Sequence, residues 1–512
     1  MISAYTGTQI RAAENRFLRT SLDSDVGAVL MQRAAYGLAN TVVRELRSRG
    51  RRRYGSSVAV LAGKGNNGGD GLFAAALLAR RGMRTTAVLT AGEAHEAALA
   101  AFRGAGGSAV TLTADNVAEL AAAAAGADVV IDAVLGTGAQ GGLRGPAAAL
   151  VERLMELRER SRSGLVIACD IPSGVDADTG EAHAPVLPAD VTVTFGGAKT
   201  GLLADPGADF AGRVQLIPIG IEGVLPQTSL RRLDPAELAR LLPRPERRSH
   251  KYSRGVLGIV AGSQRYPGAA VLACRGALAS GVGMVRYLGP PDVADLVRQA
   301  CPEVVCGTES VADTHVQAWL VGPGIDEGAD EQLQRVREAA ATGLPTVADA
   351  GALPALPRVL APHLVLTPHA GELAALLASY GDRRGRAGVE AATLAAARQA
   401  AGLTGATVLL KGATTLVAAP SGAVFSQAEA TPWMATAGSG DVLAGVLGSL
   451  LAQLSGNEGM FSDHGIGPTE RWAGIAAMAA SLHGLAGVRA SAGGPVTATE
   501  IAHAVPEVLR EL

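Results

Sequence analysis

The chain has 512 residues, 48% of them hydrophobic and 18% charged, with a formal net charge of -2. A single core rarely grows beyond roughly 250 to 300 residues, so two domains are expected, and this apolar content excludes a disordered chain. The near-neutral balance gives no electrostatic reason to expect nucleic acid or an anionic membrane as partner, which leaves small-molecule chemistry.

Met1 to Gly7, followed by Gln9 and Arg11, lacks the basic and apolar regions of a secretory signal, so a cytoplasmic location is expected. Apolar runs such as Val442–Leu451 are shorter than the roughly 20 residues a bilayer requires. Cys169, Cys274, Cys301 and Cys306 form no Cys-x-x-Cys pair, which points to buried reduced thiols rather than a zinc site.

In chain order, Ser57–Ala62 reads as a strand followed by a helix from about Gly71. Thr85–Thr90, Ala127–Val134 and Leu165–Asp170 read as further strands. Continuous apolar strands alternating with helices indicate a parallel sheet covered on both faces, with ligands at the carboxyl ends of the strands. Three such ends carry the suspicious residues. Gly63-Lys64-Gly65-Asn66-Asn67-Gly68-Gly69-Asp70 is a glycine-rich strand-to-helix turn able to bring amides up to phosphate. It is no Walker motif, and the next strand ends without the ribose-binding acid of a dinucleotide fold, so a conventional dehydrogenase is disfavoured. Asp132-Ala133-Val134-Leu135-Gly136-Thr137-Gly138 is a second turn and Asp170-Ile171-Pro172-Ser173-Gly174-Val175-Asp176 a third. Each alone reads equally well as an acidic turn or helix cap; the three together define a cleft.

These motifs resemble the NAD(P)H-hydrate epimerase family, whose fold is a Rossmann-like αβα sandwich. The resemblance implies that Asn66, Asn67, Gly68, Gly69 and Asp70, with Gly136, Thr137, Gly138, Ala139, Gln140, Gly141 and Gly142, hold a hydrated NADH or NADPH. Asn67, Asp132 and Ser173 would bind K+. Asp170 would contact the substrate and is the expected acid/base for interconverting the R and S hydrates at nicotinamide C6. Lys199, in Phe195-Gly196-Gly197-Ala198-Lys199, also matches a family segment, although a lysine at a strand end is ordinarily a solvated charge.

Prolines 226, 235, 243 and 245, with the charges of Arg244 to Arg248, mark a boundary. The domains are expected at residues 1–228 and 249–512, joined by a linker over 229–248. Beyond it, strands are expected at Val256–Ala261, Trp319–Gly322, Thr346–Asp349, Leu364–Thr367, Val408–Lys411 and Thr415–Ala418, and Ser455–Glu470 reads as a surface loop. Thr436-Ala437-Gly438-Ser439-Gly440-Asp441 places small residues at a helix start, where exposed amides form an anion hole and Asp441 can take a hydroxyl proton.

Lys411-Gly412-Ala413-Thr414-Thr415 followed by the Gly-Ser-Gly-Asp turn resembles the ribokinase-like fold. His250 to Gly255, Gly322-Pro323-Gly324 and Thr367 to Glu372 resemble its ADP-dependent NAD(P)H-hydrate dehydratase branch. The resemblance implies that Lys411 to Thr415, Gly438, Ser439 and Gly440 bind nucleotide. It implies that Gly324, His369 and Asp441 meet the S hydrate, and that ADP, with Mg2+, phosphorylates the C6 hydroxyl so that phosphate and AMP are released. Gly351 stands where a second aspartate is expected after Asp349, a departure expected to weaken magnesium or substrate binding, and Ser439 stands where threonine is common. A homo-oligomer is expected by family analogy. The competing readings are a ribokinase-type vitamin kinase and a non-catalytic nucleotide-binding module in the C-terminal half.

Overall fold

The computed structural model describes residues 1–20, 26–160 and 164–512. They fall into two compact units, one of Ser3–Thr228 and one of Ser229–Leu512 with Met1–Ile2.

In the N-terminal unit, seven strands among the described residues form a wholly parallel sheet. Their order is Ser108–Thr111, Arg84–Leu89, Ser57–Ala62, Val129–Ala133, Leu165–Cys169, Val191–Phe195 and Arg213–Ile217. Successive residues bury on opposite faces. Val60, Ile131 and Ile167 pack with Leu38, Leu72 and Leu78 on one side, and Leu61, Val130 and Val166 pack with Leu120, Leu150 and Leu154 on the other. Because both faces are covered, the strands read as unbroken apolar runs. The strand order reverses between Ser57–Ala62 and Val129–Ala133, so the loops leaving these two strands flank the crevice where α/β sheets bind ligands.

The C-terminal unit has a sheet of ten strands among the described residues. Val305–Gly307, Met284–Leu288, Val256–Val260, Ala318–Val321, Thr346–Ala348, Leu364–Leu366 and Thr407–Leu410 run parallel. Thr415–Ala418 and Val424–Gln427 add antiparallel neighbours, and Leu230–Arg232 pairs beside the last. Its order reverses between Val256–Val260 and Ala318–Val321, and the two loops there touch, Gly262 N donating to Pro323 O at 2.7 Å.

Three expectations change. Residues 229–248 are not a bare linker, since strand Leu230–Arg232 and helix Pro235–Leu241 lie there and Leu233, Leu238 and Leu241 are buried. Proline at the first helical position starts this helix, and Asp234 and Glu237 close a capping box, so a residue read as a breaker is an initiator. Ser455–Glu470 contains helix Glu458–Asp463, held down by the fully buried Phe461. The helix expected from Gly71 starts at Asn66, so Asn67 to Asp70 form its first turn and not a loop before it. All four cysteines are free, and no helix among the described residues is long and apolar enough to cross a membrane.

Candidate active sites

In the N-terminal unit the strand ends open into a cavity of about 1140 Å³ lined by Asn66, Asn67, Asp70, Gly136, Thr137, Gly138, Ala139, Gly142, Asp170 and Lys199. The amides of Asn66 to Gly68 precede the first bond of helix Asn66–Arg80, Gly69 N to Gly65 O at 3.1 Å, and carry the positive end of its dipole, an arrangement suited to phosphate. Gly68 and Gly69 are buried below this surface. A Cβ on Gly68 would meet Gly63 O at 1.9 Å, so that glycine serves close packing of turn on helix. Gln140 and Gly141, expected among the ligand contacts, lie outside the lining.

Asp170 follows strand Leu165–Cys169 with φ 67, a left-handed conformation uncommon outside glycine and typical of strained functional positions. Its Oδ1 accepts from Lys199 Nζ, from Thr194 Oγ1 at 3.1 Å and from Phe195 N at 3.3 Å, while its Oδ2 accepts from Thr137 Oγ1 at 3.1 Å. Lys199 is only 1% exposed and donates also to Thr194 Oγ1 and Phe195 O. The lysine expected as a solvated charge is thus the buried counter-ion of the expected catalytic carboxylate.

Asn67 and Ser173 meet at the carbonyl of Leu135, which accepts from Asn67 Nδ2 at 3.0 Å and Ser173 Oγ at 3.5 Å, and Ser173 in turn bonds Asp132. Asp132 is fully enclosed. Burial raises its carboxyl above the ordinary range, and bonds from the Ser173 hydroxyl at 2.5 Å and amide at 2.8 Å oppose that shift. Asn67 Oδ1 is buried with no hydrogen-bond partner, an orphaned acceptor beside a buried carboxylate. Asp70 Oδ1 is likewise buried and unpartnered. Burial, then the charges of Asp170 and Glu14, push this acid well above its usual value against the pull of Lys199.

In the C-terminal unit, helix Ser439–Leu454 begins after Gly438, whose φ of 87 turns the chain into the helix; Ser439 N donates back to Thr436 O at 3.3 Å, and the amides of Gly440 and Asp441 precede the first helical bond, Val442 N to Gly438 O. Asp441 sits in that turn. Burial and then the Asp349 carboxylate push it up to about 6, and Lys411 pulls the other way. Lys411 Nζ bonds Asp349 Oδ1 at 2.9 Å and lies 3.8 Å from Glu372 Oε2. Burial alone would lower the Lys411 ammonium, and the carboxylates of Asp349 and Glu372 raise it instead. Thr367 Oγ1 completes the set by donating to Asp349 Oδ1 at 2.7 Å. Under the turn, Ser439 Oγ lies 3.3 Å from Nε2 of His483, which burial pushes down to about 4 and so keeps neutral.

The other expected residues take varied places. His369 caps helix Ala370–Ser379, its Nδ1 accepting from Gly371 N at 3.0 Å and Glu372 N at 3.2 Å, which leaves Nε2 as the outward group. Gly324, with φ 66, lets its loop pass Tyr266 O and Ala269 Cβ, both 2.7 Å from where a Cβ would stand. Gly412 and Ala413 are exposed, Thr414 is buried, and Thr415 opens a strand. Gly351 has no room for any side chain, because a Cβ there would meet Ile325 O at 2.1 Å; in this chain the departure is a packing requirement. The sequence reading missed Asp349, Glu372 and His483 as members of the site, and Glu14 and Arg11 as cavity residues. Only Asp349 and Glu372 stood inside motifs that were already singled out.

The family model described as NAD(P)H-hydrate dehydratase matches residues 257–507, and that described as YjeF-related protein N-terminus matches residues 27–201. The chain is 42% identical over 464 residues to the bifunctional NAD(P)H-hydrate repair enzyme of Mycobacterium leprae, covering 88% of this chain and 89% of that one. It is 33% identical over 554 residues to the same enzyme of Moorella thermoacetica, covering 100% and 96%. Among solved structures, the ADP/ATP-dependent NAD(P)H-hydrate dehydratase of Bacillus subtilis is similar over 55% of this chain and 98% of that one, with 24% identity and a TM-score of 0.46.

Proposed function

The chain belongs to the bifunctional NAD(P)H-hydrate repair enzymes, and from that premise we propose that its two sites divide the work between epimerisation around Asp170 and ADP-dependent dehydration around Asp441. Relatives that align with both halves place the chain among repair enzymes rather than vitamin kinases.

In the N-terminal cavity the helix-start amides at Asn66 to Gly68 and the Gly136–Gly142 loop take the phosphates of hydrated NADH or NADPH, and the buried Asp170–Lys199 pair meets nicotinamide C6. Epimerisation there requires proton transfer at the oxygen on C6, and Asp170 takes part in it as an acid–base group. Lys199 fixes the carboxylate's position. The orphaned Asn67 Oδ1, the Asp132 carboxylate and Ser173 fit K+, a hard cation suited to oxygen ligands. Bound there, it would neutralise Asp132 and stiffen the Leu135 turn.

In the C-terminal unit Asp441 takes the proton of the C6 hydroxyl as that oxygen receives the β-phosphoryl group of ADP, and AMP leaves. The turn at Gly438 to Gly440 and the helix-start amides that follow it hold the transferring phosphoryl, and Lys411 anchors the nucleotide side. Loss of phosphate from C6, pushed by the ring nitrogen's electrons, and of a proton from C5 restores the dihydronicotinamide. Mg2+ fits this site as an ion borne mainly by the nucleotide phosphates, neutralising charge beside the Asp349 and Asp441 carboxylates.

The observation that carries this reading is the position of Asp441, raised to about 6 in the first turn of a helix beside the Lys411–Asp349 pair, a base tuned near neutral pH beside an anion hole. Incubating S hydrate with ADP and magnesium should yield one AMP and one phosphate for each NADH regained. Recovery of NADH without AMP, or release of AMP without NADH, contradicts the coupling.

A further inference from the structure

The N-terminal cavity gathers three carboxyl groups, Glu14, Asp70 and Asp170, around one buried ammonium, Lys199. The lysine is already committed to Asp170, Thr194 and Phe195 O. Glu14 arrives on helix Gly7–Thr20, which no motif marks, and three contacts fix that helix. Strand Ile2–Tyr5 pairs in parallel with Ala198–Lys199, setting Tyr5 opposite Lys199. Gly7 N donates to Asp178 Oδ1 at 2.6 Å, and Arg11 Nη1 donates to Thr137 O at 3.0 Å. Arg11 and Glu14, three residues apart, share a helix face and both line the cavity.

Burial raises the Glu14 carboxyl above its ordinary range, with Asp170 adding to the shift and Lys199 and Arg11 opposing it. Asp70 is raised more strongly and is locked deeper, its Oδ1 unpartnered. Asp170, by contrast, is paired to an ammonium. Two carboxyl groups set differently in one cavity, Glu14 beside Arg11 on its helix face and Asp170 bonded to Lys199, are an arrangement that can divide proton donation from proton acceptance.

We propose that Glu14 is the second acid–base residue of the R/S interconversion, acting on nicotinamide C6 as the partner of Asp170; this rests on the assignment of epimerisation to this cavity. Glu14 gives its proton to the C6 hydroxyl. The C6–O bond breaks, water departs, and the N1 lone pair forms the N1=C6 iminium. Water adds to the other face of C6 and yields a proton to the Asp170 carboxylate. That proton returns to Glu14 through solvent, so the product has the substrate's composition and the opposite configuration.

The test follows conversion of pure R hydrate to S by chromatography without ADP, as a function of pH. Glu14→Gln should lower kcat by about 10² to 10⁴ with little change in KM, the usual contribution of a positioned proton donor. Wild type should lose activity as pH rises and Glu14 gives up its proton, and this alkaline limb should vanish in Glu14→Gln. Glu14→Asp should restore part of the rate and move the limb. A Glu14→Gln rate within about threefold of wild type, or an unmoved limb in Glu14→Asp, overturns the proposal. If Glu14→Gln fails to fold, the limb of Glu14→Asp decides alone. Asp170→Asn runs alongside, and if that variant also interconverts the hydrates at full rate, the cavity assignment falls rather than the role of Glu14.

Discussion

Both units bring a lysine to an aspartate pair at the carboxyl end of a parallel sheet, yet they use the lysine differently. In the N-terminal unit Lys199 bonds the expected catalytic carboxylate itself, and Asp170 is held as a buried ion pair. In the C-terminal unit Lys411 bonds Asp349, and Asp441 is left next to a like charge and pushed up to about 6. The same residue types thus lock one aspartate in an ion pair and leave the other poised to take a proton near neutrality.

The largest test of that contrast is Asp441→Asn, which should lower the rate of NADH recovery from S hydrate by about 10² to 10⁴ in a steady-state absorbance assay. Lys199→Met should strand a buried carboxylate, costing about 3 to 5 kcal/mol in chemical denaturation of the N-terminal unit. Adding Asp170→Asn to that variant should restore much of the loss, as expected for two members of one pair. Gly351→Asp should destabilise the C-terminal unit by about 1 to 3 kcal/mol, because Ile325 O occupies the space, and calorimetry would show it as a lowered melting temperature. A variant that melts normally and dehydrates faster would mean that the position lacks a carboxylate rather than room.

The smallest effect concerns pH. Asp441 must be ionised to act, so kcat/KM for dehydration should fall as pH drops through about 6. Asp349→Asn removes the like charge and frees Lys411 to turn to Asp441, so the acid limb should move to lower pH. A limb that moves upward would mean that Lys411 does not serve both carboxylates.

The two parallel sheets and the three polar strand ends were legible because covered strands must be apolar and because glycine-rich turns stand out beside them. Short strands such as Val305–Gly307 and Leu230–Arg232 were not, since three residues carry no period, and their pairing comes from neighbours distant in sequence. Asp170 and Asp441 announced themselves within motifs. Lys199 was visible as a residue and misread as to burial, because its partner lies 29 positions away and only the fold closes that distance. Glu14 was invisible, since it belongs to an ordinary amphipathic helix and gains its setting from the Tyr5–Lys199 pairing. The packing at Gly351 was invisible for a similar reason: the close approach of Ile325 O leaves no mark in sequence.

The central claim, one aspartate for each reaction, is tested most directly by giving a mixture of R and S hydrates, with ADP, magnesium and potassium, to Asp170→Asn and Asp441→Asn and resolving both hydrates and NADH over time. The account predicts that Asp441→Asn equilibrates R and S without forming NADH, and that Asp170→Asn consumes S while R persists apart from its slow spontaneous conversion. Loss of both reactions in either variant, or of neither, would contradict it.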